Sequence, residues 1–319
     1  MKGKIMKKTQ ANRIAVAVAG AMALMSASAM ANLITPGAVD GNYYVYASPT
    51  YTSLGTGSIY DTASYGNYVY ANVGNGQIAR WTVSLSGGTD ANVHPDNPLD
   101  TGPMVARTFS APTIYGNTGI DGQSQSGMFA TADALYYRGA GGTWGGIGGA
   151  GLIKYDLGTG VTSTVLSTVG SFVTQDTATG TWYTASEGAR AVYSWDGSAW
   201  MQEFTFGNLA GGHMDGMSFV NGYMFVSDMT SDFLLQAKKN ADGTWSKVNL
   251  FQYTDGTAAA LEGLGFGALD HFWAGTGTYL QEIGGGQLQQ EVTVPEPISL
   301  ALFGIGLSGM GWVIRRRKV

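Results

Sequence analysis

Between Asn32 and Thr293 the apolar positions fall into short runs rich in Val, Ile, Thr, Tyr, Phe and Trp. Almost nowhere do they show the 3.6-residue period of an amphipathic helix. Polar turn signals separate the runs. Asn75-Gly76, Asp196-Gly197, Asn221-Gly222 and Asp242-Gly243 are steps that readily take the positive φ of tight hairpins. Glycine accounts for 49 of 319 residues, an excess that fits many short strands and many turns. The nearest approach to a helix, Thr257 to Leu264, is weakened by its glycine. The pattern predicts an all-β domain.

The runs also recur. Tyr68-Val69-Tyr70-Ala71, Leu135-Tyr136-Tyr137-Arg138, Trp182-Tyr183-Thr184-Ala185, Tyr223-Met224-Phe225-Val226 and His271-Phe272-Trp273-Ala274 are variants of one aromatic strand. The later starts lie 47, 41 and 48 residues apart, a period that favours propeller blades over other β architectures. Each unit reads as four strands. The clearest runs through Met214–Phe219, Tyr223–Ser227, Phe233–Ala237 and Thr244–Leu250, and the unit before it through Ser171–Thr174, Thr181–Ala185, Ala191–Trp195 and Ala199–Phe206. The first interval, 67 residues, is too long for one blade, so Asp90 to Asp121 is either an inserted loop or a degenerate blade. The expectation is a β-propeller of five to seven four-stranded blades. Tyr43 to Thr52, which resembles an inner strand, would close the ring with the C-terminal unit. One blade buries little alone, so ring closure stabilises the whole. The rival, a jelly-roll β-sandwich, accounts for the strands but not for the period.

The pattern changes at both ends. Lys2, Lys4, Lys7, Lys8 and Arg13 precede an apolar stretch from Ile14 to Met25, and Ala29-Met30-Ala31 is a small-x-small cleavage site. This order predicts a secretory signal peptide over residues 1–31 and a mature chain, exported by the Sec machinery, that starts at Asn32. At the other end Pro295-Glu296-Pro297 precedes 17 uncharged residues, Ile298 to Ile314, and then Arg315, Arg316, Arg317 and Lys318. As a helix the apolar run is roughly 26 Å long, just short of a hydrocarbon core of about 30 Å. The basic cluster would hold its end on the cytoplasmic side. The two prolines keep the triplet extended and open to an enzyme.

The tail from Val294 to Val319 resembles the PEP-CTERM sorting signal of exported bacterial proteins. The resemblance implies recognition at Pro295, Glu296 and Pro297 by an exosortase, a membrane-embedded cysteine transpeptidase. It also implies transient anchoring in the inner membrane of a Gram-negative bacterium, followed by the cell surface or an exopolysaccharide matrix. The same kind of tail is also labelled an ice-binding-protein C-terminal domain, a label that describes the tail and is no evidence of ice binding.

Removing both ends shifts the charge balance. Eight Lys and Arg remain against 21 Asp and Glu, a net charge near −13 for residues 32–293. Such a surface argues against nucleic acid and anionic headgroups and suits cations or neutral polysaccharide. There is no cysteine, which excludes disulfides, thiolate catalysis and Cys-based metal sites.

Candidate chemistry is sparse. His94 sits in a polar stretch, His271 reads as a structural histidine at a strand start, and no zinc-type histidine spacing exists. Ser124-Gln125-Ser126-Gly127 is not a nucleophile elbow, and no phosphate-binding Gly-Lys loop is present. Gly139 to Gly151, with Trp144, reads as a glycine-rich connection between two strands that could lie over a propeller face. His213-Met214-Asp215-Gly216-Met217, Val226-Ser227-Asp228 and Leu261-Glu262-Gly263-Leu264 resemble the inner-strand segments of six-bladed gluconolactonase and NHL-type propellers. That resemblance implies Asp215, Asp228 and Glu262 as carboxylate ligands of an axial Ca²⁺, with His213 nearby; hard oxygen donors suit this ion. The alternative is that these carboxylates are turn and cap residues. Three classes of function follow: a non-enzymatic exported surface or matrix protein, a calcium-dependent lactonase-like hydrolase, and a carbohydrate-binding propeller. No catalytic residue is identified.

Overall fold

Each aromatic run of the sequence is the second strand of a blade, and the turn dipeptides close the hairpins around it. The computed structural model describes residues 31–35, 37–46, 54, 56, 58–85, 107–120, 127–141, 146–207, 214–228, 233–253, 261–277 and 279–284. The chain falls into two units, Met1–Leu288 and Gln289–Val319. The second, with the sorting tail, lies outside the described residues, as do the signal segment, His94, Trp144 and His213.

The first strands in chain order are β1 (Asn32–Ile34) and β2 (Gly41–Tyr46). Blade 1 holds β3 (Thr62–Tyr65), β4 (Tyr68–Asn72), β5 (Ile78–Leu85), and then β6 (Arg107–Phe109) and β7 (Thr113–Tyr115), which share β5 as partner. Blade 2 holds β8 (Phe129–Ala130), β9 (Ala134–Arg138), β10 (Leu152–Asp156) and β11 (Thr162–Leu166). Blade 3 holds β12 (Phe172–Asp176), β13 (Thr181–Ser186), β14 (Ala191–Trp195) and β15 (Trp200–Phe206). Blade 4 holds β16 (Met214–Val220), β17 (Tyr223–Asp228), β18 (Phe233–Lys239) and β19 (Trp245–Tyr253). Blade 5 holds β20 (Glu262–Phe266), β21 (Phe272–Gly275) and β22 (Leu280–Gly284). The inner strands β3, β8, β12, β16 and β20 neighbour one another in a closed ring around the axis.

Five blades lie at the lower bound of the expectation and differ from the six of the lactonase resemblance. Among the described residues the long first interval adds no further blade: β6 and β7 both belong to blade 1. The predicted closing strand is corrected. β2 is an outermost strand, not an inner one. Residues 41–43 run parallel to β19, and residues 44–46 then pair antiparallel with β22, supplying the fourth strand of blade 5. β1 adds in parallel outside β15. The N-terminal segment thus straps three blades together. The only helical turn among the described residues is a short 3₁₀ segment, Ala268–Asp270. No helix among them is long and apolar enough to cross a membrane.

The hairpins follow their dipeptides. Asn75 and Gly76 both have positive φ, as do Asn221 and Gly222, the conformation that Asn and Gly tolerate best. The Asp-Gly turns work differently. Only the glycine is left-handed, and the carboxylate closes the loop: Asp196 Oδ1 accepts from the backbone N–H of Ser198 and Ala199, and Asp242 Oδ1 from that of Thr244.

The core is divided among the seams between blades. Trp81 and Trp273 share one buried cluster between blades 5 and 1, Tyr70 and Tyr137 one between 1 and 2, and Val173 and Leu152 one between 2 and 3; Phe204 packs on Trp245 between 3 and 4, and Phe225 on Phe272 between 4 and 5. Each aromatic second strand therefore faces a neighbouring blade. Burying each large apolar side chain contributes about 1.5–3 kcal/mol, and a seam exists only when both blades are present.

One seam also holds a buried ion cluster. Glu282 on β22 accepts two hydrogen bonds from Arg107 on β6, Nε at 2.9 Å and Nη2 at 3.0 Å, and a third group, His271 Nδ1, lies against the same carboxylate. All three side chains are buried. His271 is thus the structural histidine the sequence suggested.

Candidate functional site

Register brings polar residues to one level of every blade. The start of an inner strand lies opposite the end of the second strand. In blade 1 this pairs Asp61 with Asn72, whose N–H donates to the Asp61 carbonyl at 2.9 Å. Extending the register of blade 2 pairs Gly127 with Arg138, and that of blade 3 pairs Ser171 with Ser186, next to Glu187. In blade 4, Asp215 sits in a bulge where Met214 pairs with Asp228 and Gly216 with Ser227. In blade 5, Glu262 pairs with Gly275. All these positions lie at the end of the propeller where the inner strands begin.

The inner strands converge tightly there. A Cβ on Gly216 would meet the carbonyl carbon of Gly263 at 2.7 Å, and a Cβ on Gly263, whose φ is +74°, would meet the Thr62 nitrogen at 2.5 Å. Glycine at these two places lets three blades approach with backbone against backbone, and the carboxylates beside them are drawn together. Thr62 adds a link, its Oγ1 donating to the carbonyl of Trp273 in blade 5.

The electrostatic consequence falls on Asp215. The residue is 4% exposed, and its pKa is pushed up to about 9, first by loss of water and then by the negative charge of Asp61, Glu187, Glu262 and Asp228. Five carboxylates from four blades thus share one field, and Asp215 holds a proton at neutral pH. The fully buried Arg138 stands at the same level in blade 2.

All three residues expected to hold a metal therefore belong to this group, together with two the sequence reading missed, Asp61 and Glu187. Neither Asp215 nor Asp228 is a turn residue; both lie in strands and are buried. Their donor chemistry suits a hard cation. Their arrangement is not that of a formed ion site, since among the described residues no three His, Asp or Glu side chains come together as metal ligands. A signal for Glu187 was present in the repeat itself, because it follows the aromatic strand of its blade just as Asp228 closes that of blade 4. Asp61 carries no such mark. Only the closeness of blades 5 and 1 places it.

A family model for the PEP-CTERM protein-sorting motif matches residues 293–318. No curated protein sequence matches the chain. Among solved structures the chain is similar to streptogramin B lyase, at 12% identity over 72% of this chain and 65% of that one, with a TM-score of 0.36. The chain therefore spans less than two thirds of that lyase. It is also similar to a luciferin-regenerating enzyme, at 11% identity over 74% of this chain and 95% of that one, TM-score 0.42. A third is the PQQ-bound aldose sugar dehydrogenase of Streptomyces coelicolor, at 11% identity over 77% and 99%, TM-score 0.44. The chain thus carries a PEP-CTERM sorting tail on a five-bladed β-propeller.

Proposed function

We propose that this is a non-enzymatic protein of the cell surface or extracellular matrix, delivered there by exosortase processing of its tail. The PEP-CTERM motif at residues 293–318 carries this reading, because the motif implies an exported exosortase substrate anchored in the membrane before processing. Export as far as the membrane begins, on this reading, with removal of residues 1–31 after Ala29-Met30-Ala31. The acidity of the remaining chain agrees, since it disfavours nucleic acid and keeps a surface protein soluble. Replacing Pro295 and Pro297 by Ala should let helix extend upstream from Ile298 and remove the extended triplet. In a host with an exosortase the variant should stay in the membrane fraction at unprocessed mass. Processing equal to that of the unaltered chain would show that the triplet is not the signal.

A second reading, a calcium-dependent propeller of lactonase type, is favoured by one observation: the four carboxylates gathered around Asp215. A cation arriving there would compete with the Asp215 proton and be held by carboxylate oxygens. The raised pKa fixes the sign of its pH dependence. Below the ordinary carboxylate pKa of about 4, Asp215 is protonated whether folded or unfolded, and stability is fully present. As pH rises toward 9 the unfolded chain ionises while the folded one does not, and stability falls. Without added metal, Asp215→Asn should flatten this decline and raise the melting temperature at pH 8 by several degrees relative to the native chain, where 1 kcal/mol corresponds to about 2–4 °C. With Ca²⁺ the native chain should gain more at pH 8 than at pH 6, EDTA should reverse the gain, and Glu262→Gln should reduce it. A melting temperature indifferent to Ca²⁺ and EDTA at both pH values would reject the ion and leave a proton-loaded structural cluster.

A further inference from the structure

At the end of the propeller away from the carboxylates, the β3–β4 turn and the β20–β21 connection enclose a cleft of about 460 Å³ lined by Tyr65, Asn67, Phe266, Leu269 and Asp270 together with Gly66 and Gly267. We propose that this cleft is a binding subsite for a neutral hexopyranose unit of a polysaccharide. The size lies within the usual range for small-ligand pockets. The lining is mixed in the way a sugar ring requires. Tyr65 is 45% exposed, a large ring held open to solvent at the end of its strand. Such a ring stacks on the C–H face of a pyranose and offers its hydroxyl at the edge. Asn67 and Asp270 are exposed on the two walls and supply an amide and a carboxylate, which between them donate to and accept from hydroxyl groups. Phe266 and Leu269 form the apolar part.

The wall opposite Tyr65 is strained and firmly held. Leu269 and Asp270 have φ of 60° and 58°, consecutive non-glycine residues in the left-handed region. Such a conformation is unfavourable for a non-glycine residue and persists where surrounding contacts over-determine it. Those contacts are present. The Ser64 hydroxyl accepts from the Ala268 N–H at 2.7 Å, Trp273 Nε1 donates to the Ala268 carbonyl at 2.9 Å, and the Asp270 N–H donates to the Gly267 carbonyl at 2.8 Å. The conformation carries Asp270 to the rim, and a wall already ordered loses little entropy when it binds. The net charge near −13 of residues 32–293 selects a neutral polymer over an anionic one.

This inference deepens the matrix reading and rests on it only for where the polymer comes from. Its test uses the purified full chain in detergent, so that a failure of sorting leaves it standing. Cellotetraose, maltotetraose and mannotetraose are titrated calorimetrically up to about 10 mM, the weak end of measurable affinity. At least one should bind. For that sugar Tyr65→Ala should weaken binding about tenfold or more, Tyr65→Phe should retain most of it because the ring does the stacking, and Asp270→Asn should weaken it while still tolerating positive φ. Tyr279→Ala, which removes another exposed tyrosine outside the cleft, should bind as the native chain does. Unchanged melting temperatures would show that the variants fold. Absence of binding by all three sugars overturns the proposal. So does binding that Tyr65→Ala leaves intact, or that Tyr279→Ala reduces equally.

Discussion

A chain from which residues 32–46 are deleted is expected to lose its cooperative unfolding transition. The deletion removes β1 and β2, and with them two different kinds of contact. Among the described residues β2 is the only link by hydrogen-bonded strands between blades 4 and 5, parallel to β19 and antiparallel to β22. Without it blade 5 keeps three strands and the edge of β22 is exposed. β1 holds the seam between blades 3 and 4 from outside: Ile34 is buried in that core, and Asn32 reads the backbone of Trp245 from both sides, its Nδ2 donating to the carbonyl at 2.7 Å and its Oδ1 accepting from the N–H at 2.9 Å. A propeller has no stable partial ring, because each open edge leaves a seam half built. Denaturant unfolding followed by tryptophan fluorescence should therefore show a broad transition with a much reduced slope. The single change Asn32→Ala should be milder, about 1–3 kcal/mol, since it leaves one backbone donor and one acceptor at Trp245 without their partner. A deletion that unfolds with the native midpoint and slope would mean that the strap is dispensable. Asn32 is also the expected first residue of the exported chain, so signal cleavage would release the very residue that fastens the ring.

Glu282→Gln is expected to produce the largest loss of any single conservative change, about 3–5 kcal/mol at neutral pH. The carboxylate is fully buried between Arg107 and His271 and accepts from both. Burial opposes its ionisation, but hydrogen bonds from His271 and Arg107 outweigh that and hold its pKa below the usual carboxylate value. The amide keeps the shape and loses the charge, so the Arg107 guanidinium stays buried without its counter-ion. The pH dependence has the opposite sign to that of Asp215. A depressed pKa contributes stability above the ordinary carboxylate value of about 4.3, and that stability is lost as pH falls through the folded value. The variant should therefore differ most from the native chain at pH 6–8 and converge with it in acid. Replacing Arg107 and Glu282 together by Met and Gln should cost less than Glu282→Gln alone. Equal stability of native and Glu282→Gln chains across this range would show that the cluster carries no net free energy.

These two pH effects act on one protein in opposite directions. Glu282 favours the folded state at neutral pH and Asp215 disfavours it. The first is a buried charge with two cationic or donor neighbours; the second is a buried acid among others of its own sign. The acidic cluster around Asp215 therefore opposes folding as pH rises, whereas the Glu282 cluster supports it.

Much of the fold was legible along the chain. The second strands and the hairpin dipeptides depend on neighbours within about ten residues, and their chemistry is local: aromatic and β-branched residues suit a pleated surface, and Asn-Gly takes left-handed φ without strain. The blade period is the recurrence of these local signals along the chain. Asp215, Asp228 and Glu262 were singled out because their short segments resemble the inner strands of lactonase-type propellers; Asp215 and Glu262 each precede a glycine. Their partners were less legible. Asp61 precedes a strand with no distinguishing neighbour, and Arg107 lies in a three-residue strand after a long interval. Both matter because of residues about 150 or more positions away.

By itself the sequence determined the all-β character, the repeat, the acidity of the body and the tripartite tail, since each follows from composition, local pattern or the spacing of like segments along the chain. The tertiary structure decided the blade count, the use of β2 as an outer strap rather than an inner strand, and the gathering of five carboxylates at one end. Those follow from ring closure. Whether five or six wedges complete a circle depends on the summed packing of every seam. Only when the circle is complete do Gly216 and Gly263 bring three blades to backbone contact and set the carboxylates in one field.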